Sequence, residues 1–264
     1  MNAPDLSSCW AKFRRAESHL EALKRDIKTW LDTNPYRLSK QTSPDLTRHG
    51  YVISVHNAPD LEKWSLITSD VIHNLRCSLD HLIYAIAIFQ TKTDPPPKAD
   101  VIAFPICDNP KWFRGAVKKL SDLSVCVRAE VEGMQPYNRP HVRLPPLLGL
   151  LRDFDDRDKH RLLHVAIASA WNAHFRDVDH SVVRPGEEIE FFYRTAEVVD
   201  GAEIAAIIYP RPSPDMEHKL VTNIVISVEH RLSPLGRTRS ELADVLLELV
   251  PEVRTAIQNI AAKA

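Results

Sequence analysis

The chain has 264 residues, 44% of them hydrophobic and 26% charged, which is ordinary for a globular protein with a buried core. Its 34 basic and 35 acidic residues leave a formal net charge of −1, so no global field is present to hold a polyanion, and only a local basic patch could do so. No apolar run approaches the roughly 20 residues of a membrane helix, and no basic start is followed by an apolar block, so neither a membrane span nor a secretory leader is expected.

Four cysteines, Cys9, Cys77, Cys107 and Cys126, stand far apart with no CxxC pair and read as free thiols of a cytoplasmic protein. Glycines number 7 against 19 prolines, and no GxGxxG, GxxxxGK[ST] or GxSxG occurs. Rossmann, P-loop and α/β-hydrolase sites are thereby disfavoured.

In chain order, Trp10, Phe13, Leu20, Leu23, Ile27 and Trp30 recur at helical spacing. Ser7 or Ser8 can cap this first helix and Asn34-Pro35 ends it. Tyr51 to Val55 alternates weakly and suggests a short strand. A second long helix is expected from about Leu66 to Phe89, with Ile72, Leu75, Leu79, Leu82, Ile83 and Ile86 as its apolar stripe. The prolines that follow Thr91 stop it. Shorter helical pieces follow near Trp112–Leu120 and Leu123–Gly133. A third long helix is expected to start after Pro145-Pro146 and to run toward Trp171.

The period then changes. Glu188–Val198, Ala202–Tyr209 and Leu220–Glu229 are β-rich, with Asp200-Gly201 as a hairpin turn signal. A last helix is expected from Thr238 and Glu241 at capping-box spacing through Leu249, with a kink at Pro251. The expected fold is α+β: one domain over 1–264, mainly a helical bundle (1–175 and 238–264), with a three-stranded antiparallel sheet at 183–232, before the C-terminal helix.

Two polar stretches interrupt these helices. His73, Arg76, Cys77, Asp80 and Tyr84 form one stripe beside the apolar face of the second helix, and Arg76 and Asp80 can pair at i,i+4. In the third helix, a continuous helix would put Asp158 and Arg161 inside the apolar face. Either the helix breaks there, or those charges meet partners, for which Arg76 and Asp80 are the candidates. Asp156, His160 and His164 at i, i+4, i+8 would share a stripe usable by a metal, to which His73 or His81 could add a nitrogen. No HExxH accompanies them, and no metal or other cofactor is expected. A mid-helix cysteine such as Cys77 is more often inert than reactive.

Arg76, four residues and His81 resemble the Arg-x4–6-His signature of HEPN-type helical ribonucleases. The resemblance implies that Arg76 and His81 act on an RNA phosphodiester, with RNA as candidate substrate and a homodimer as candidate assembly. Within one helix the two side chains point about 140° apart, so convergence needs a second chain or a bend. The phrases HNLRCSLDHL and DKHR also resemble a pattern in uncharacterised bacterial proteins of this size, which names no activity. Two readings stay open. One is a small hydrolase or HEPN-like ribonuclease with a site of Arg76, Asp80, His81, Asp158 and His160 between two long helices. The other is a non-catalytic binding or regulatory module in which the same residues form a structural ion network.

Overall fold

A computed structural model describes residues 3–140, 144–169, 173–178, 180–194, 197–213, 218–222, 224–232 and 236–264. It is α+β. The helices are α1 (Ser7–Asp32), α2 (Leu61–Thr91), α3 (Pro110–Ala116), α4 (Val125–Gly133), α5 (Leu147–Asp158) and α6 (Leu242–Ala261). The chain divides into two compact units. The first comprises Met1–Arg25, Glu62–His164 and Val228–Ala264, and the second Asp26–Leu61 and Val165–Ser227. Among the described residues no helix is long and apolar enough to cross a membrane.

The first unit is the helical one. Its core joins Phe13, Leu20 and Leu23 of α1, Leu75, Leu79, Leu82 and Ile86 of α2, and Leu150, Leu151 and Phe154 of α5. Leu246, Leu249, Val253 and Ile257 of α6 complete it. These positions recur at three- and four-residue intervals, so each helix turns one apolar face inward. Short helices start where side chains satisfy the first free N–H groups. Asn109 accepts from Trp112 N ahead of Pro110, and Ser124 accepts from Val127 N.

Two expectations for this unit are corrected. Helix α5 ends at Asp158 instead of running toward Trp171, which lies outside the described residues. The carbonyl of Arg157 collects the N–H groups of both His160 and Arg161, which closes the helix in a turn. The last helix begins at Leu242, because residue 238 belongs to strand β9 (Gly236–Glu241). Glu241 is its N-cap and makes no side-chain cap bond, so no capping box forms. Pro251 lies inside helix α6.

The second unit is the strand-rich one. Strands β1 (Tyr36–Thr42) and β2 (Arg48–Val55) form an antiparallel hairpin with Tyr36 opposite Val55 and Thr42 opposite His49. Strand β6 (Glu203–Ile208) pairs antiparallel with β2 on one side and with β5 (Glu190–Tyr193) on the other, giving the order β1-β2-β6-β5. Further strands are β3 (Val165–Ser169), β4 (His174–Arg176), β7 (Lys219–Val221) and β8 (Ile224–Leu232), and β4 pairs with β7. The sheet expected before the last helix therefore takes two of its four strands from 36–55, far upstream. Asp200-Gly201 lies in the β5–β6 connection, where Gly201 takes φ +74°. Tyr193 and Glu203 bound this connection, so it is longer than a two-residue turn.

Under this sheet lies an aromatic cluster with two buried imidazoles. The rings of His49 and His218 are 5.1 Å apart, with Tyr51, Phe175 and Tyr209 against them. His49 Nδ1 meets Thr42 Oγ1 at 3.1 Å, but His49 Nε2 and both nitrogens of His218 are buried without a hydrogen-bond partner. Burial holds both imidazoles below their ordinary pKa, His218 at about 4, and the Lys40 charge adds to the effect. Both rings are therefore neutral at pH 7.

Candidate functional site

The polar stripe of α2 divides into three parts with different surroundings. Arg76 and Asp80 pair along the helix at 3.1 Å and together grip the backbone of Phe104. Arg76 Nη2 donates to the Phe104 carbonyl at 2.8 Å, and the Phe104 N–H donates to Asp80 Oδ1 at 2.8 Å. Phe104 lies in a segment without regular structure between α2 and α3, whose buried backbone groups need partners. Gln135 serves the same segment a few residues on, accepting from Cys107 N and donating to the Pro105 carbonyl. Burial pushes the Asp80 carboxyl up, and Arg76 and the Phe104 N–H only partly offset this. Nη2 of Arg76 is thus engaged within its own chain, whereas its Nη1 is buried without a hydrogen-bond partner among the described residues.

One turn toward the start of α2, His73 reaches across to α5. Its Nδ1 lies 3.2 Å from Asp155 Oδ1, while Asp155 Oδ2 meets Lys159 Nζ at 2.9 Å. On the other side of the ring, Cys77 Sγ is 3.4 Å from His73 Nε2. Asp155 is 5% exposed, Cys77 is half-buried, and the His73 side chain is 57% exposed, so one edge of the row faces solvent. Burial pushes the Cys77 thiol up, with Lys12 opposing and Asp80 and Asp155 reinforcing, so the resting sulfur is a thiol. A thiol on one imidazole nitrogen and a buried carboxylate on the other is the arrangement of an activated nucleophile, its base and the group that orients the base.

Helices α2 and α5 do meet through polar side chains, but not through the expected residues. Among the described residues no ion pair joins Arg76 or Asp80 to Asp158 or Arg161; the cross-helix pair is His73–Asp155. The expectation assumed that the helix continues. Because α5 stops at Asp158, that residue is half-buried at the helix end, Arg161 is exposed, and Asp155 one turn earlier is the carboxylate that enters the interface. Asp155→Ala is accordingly expected to lower stability by about 2 kcal/mol, since it removes the buried hydrogen bond to His73 and the ion pair with Lys159, whereas Asp158→Ala costs under about 1 kcal/mol. Urea midpoints of the two variants check this, and equal shifts contradict it.

The third part is a cleft of about 950 Å3 in the same unit. His81, Asp80, Tyr84 and Phe89 of α2 line it, together with Asp5 and Ser8 at the start of α1. His81 therefore stands on a concave wall, as a substrate-handling histidine requires. His160 does not: it is exposed in the turn after α5 and is not part of that wall. The proposed metal stripe also loses its basis, because Asp156, His160 and His164 can share a face only in a helix that continues to 164. Among the described residues no group of three or more His, Cys, Asp or Glu side chains could hold a metal ion.

Of the row, the i,i+4 spacing of His73 and Cys77 was visible in the sequence, but the choice of Asp155 among four nearby aspartates was not. No protein-family model, no curated protein and no solved structure matches this chain.

Proposed function

We propose that the chain is a cytoplasmic thiol-dependent hydrolase acting by acyl transfer, with Cys77 as nucleophile, His73 as general base and acid, and Asp155 as the positioning carboxylate. The observation that carries this reading is the row Cys77 Sγ–His73 Nε2 at 3.4 Å and His73 Nδ1–Asp155 Oδ1 at 3.2 Å. In the first step His73 Nε2 takes the thiol proton as sulfur attacks the substrate carbonyl. The proton then passes to the leaving group as the carbonyl–leaving-group bond breaks, which leaves a thioester on Cys77. Water attacks that thioester with His73 again as base, and the acid product leaves as the thiol is restored. Asp155 fixes the Nδ1–H tautomer and stabilises the imidazolium in each step. Asp80, His81 and Tyr84, further along the same helix, supply the wall against which the rest of a substrate can lie.

Among hydrolase readings, acyl transfer at Cys77 is favoured over phosphodiester cleavage by Arg76 and His81, because Arg76 is engaged by Phe104 and Asp80. That same engagement supports the second reading, a non-catalytic module whose Arg76–Asp80 pair is structural.

Alkylation separates the two. All four cysteines are unpaired; Cys126 is exposed and serves as an internal standard, while Cys9 and Cys107 are buried. His73→Gln is expected to lower the rate of iodoacetamide alkylation of Cys77 relative to Cys126 about tenfold at neutral pH, since the half-buried Cys77 thiol, which burial pushes up, needs His73 as base to lose its proton. Incubation with an activated ester should add one acyl group in the intact mass, absent in Cys77→Ala. A Cys77-to-Cys126 alkylation ratio unmoved by His73→Gln, with no acyl group gained from the activated ester, would overturn the hydrolase and leave the module.

A further inference from the structure

The segment from Pro110 to Leu120 carries Lys111, Arg114, Lys118 and Lys119 and no carboxylate, in a chain whose overall charge is nearly balanced. It is built as helix α3 followed by a 3-10 turn over Val117–Leu120. Phe113 and Leu120 are its buried anchors, at 3% and 0% exposure. Anchoring by these two turns the remaining side chains outward. Lys111, Arg114, Lys118 and Lys119 are all exposed, and the indole of Trp112 is 59% exposed.

None of the four cations forms an ion pair with a described residue. The flanking carboxylates are already engaged elsewhere, Asp108 by Arg152 at 3.0 Å and Asp122 by Lys98 at 3.5 Å. The face therefore keeps its full positive charge, with a flat aromatic ring inside it.

We infer that this face binds single-stranded nucleic acid, its four cations following the phosphates and Trp112 stacking on an unpaired base. The charge is complementary to a polyanion, and an exposed indole among cations is the combination that single strands use. A duplex offers no free base face to the ring, and α3 is too short to read a groove as a recognition helix does. An anionic membrane is a poorer fit, since insertion needs a continuous apolar face and the apolar side chains Phe113 and Leu120 point into the core. The inference does not depend on the acyl-transfer reading, because none of these residues belongs to the Cys77–His73–Asp155 row.

The test uses the full chain and a fluorescein-labelled oligouridylate, followed by anisotropy over a range of salt. Binding is expected at low salt, with a log–log salt slope of about −3, as four phosphate contacts give on a single strand. Lys118→Glu with Lys119→Glu should weaken binding at least about tenfold and roughly halve the slope. Trp112→Ala should weaken it about five- to a hundredfold and leave the slope unchanged, since stacking is not screened by salt. A duplex of the same length should bind more weakly. All the substituted side chains are exposed, and circular dichroism checks that the fold is kept. Three outcomes would overturn the inference: no binding at low salt, binding indifferent to Trp112→Ala, or retention on phosphatidylserine vesicles with none on the oligonucleotide.

Discussion

Arg76→Ala is expected to destabilise the helical unit by about 3 kcal/mol, more than any other single charge removal described above. Its guanidinium is largely buried and satisfies two acceptors at once, the Asp80 carboxylate and the Phe104 carbonyl. Removing it leaves Asp80, which burial already pushes toward its neutral form, without its cation. It also leaves a buried carbonyl without its donor, and each such loss costs more than the bond contributes net. Arg161→Ala, an exposed arginine on the adjoining turn, is the control and should shift stability by under about 0.5 kcal/mol. Urea unfolding of both variants decides the matter. Similar midpoints would mean that Arg76 does not hold the Phe104 segment in place.

The strand-rich unit is expected to lose about 3 kcal/mol of stability between pH 6.5 and pH 4 through His218 alone. The His218 pKa falls from 6.5 to about 4 on folding, so the folded state binds fewer protons than the unfolded chain across that window. Its contribution is fully present above the unfolded pKa, shrinks as pH falls through the window, and stops changing below about 4, where both states are protonated. His49 adds in the same direction, since its pKa is also lowered by burial. Lys40 and the other imidazole are the charges acting on His218, and both oppose protonation. His218→Phe places a third apolar ring beside Phe175 and Tyr51 and removes the titration. Urea unfolding at a series of pH values, with the β2 and β6 peptides followed by pulsed hydrogen exchange, should show a flatter pH profile for that variant. Parallel profiles for the two proteins would contradict the assignment.

These two sites differ in how far the sequence exposed them. Helical period located α1 and α2 to within about five residues, because each carries a continuous apolar stripe that ends near proline. Strand β1 was silent. Its residues YRLSKQT are half-buried or exposed throughout, as suits the outer strand of the sheet, and no alternation is imposed on such a strand. The end of α5 is hidden in the sequence because Val165 continues the apolar stripe of Leu147, Leu150, Leu151 and Phe154, although it is the first residue of β3.

The polar residues followed the same division. Pairing of Arg76 with Asp80 could be read from i,i+4 spacing, whereas their common target could not, since a backbone amide has no signature in a sequence. Asp155 stood among Asp153, Asp156 and Asp158 with identical chemistry, and only packing against α2 distinguishes it. His49 and His218 are far apart in the chain, and nothing local marks either as buried.

The grip on Phe104 has a consequence for which sequences this fold accepts. Arg76 and Asp80 contact only an N–H and a carbonyl, so what they recognise at position 104 is the main chain and not the side chain. Proline alone is barred by that contact, for want of an N–H. The choice of phenylalanine is imposed separately, by the apolar space that its ring fills. Two independent filters thus act on one residue: an alphabet of nineteen from the clasp, narrowed to large apolar members by the core. The clasp itself asks something different of position 76, where one nitrogen, Nη2, must reach both the Asp80 carboxylate and the Phe104 carbonyl.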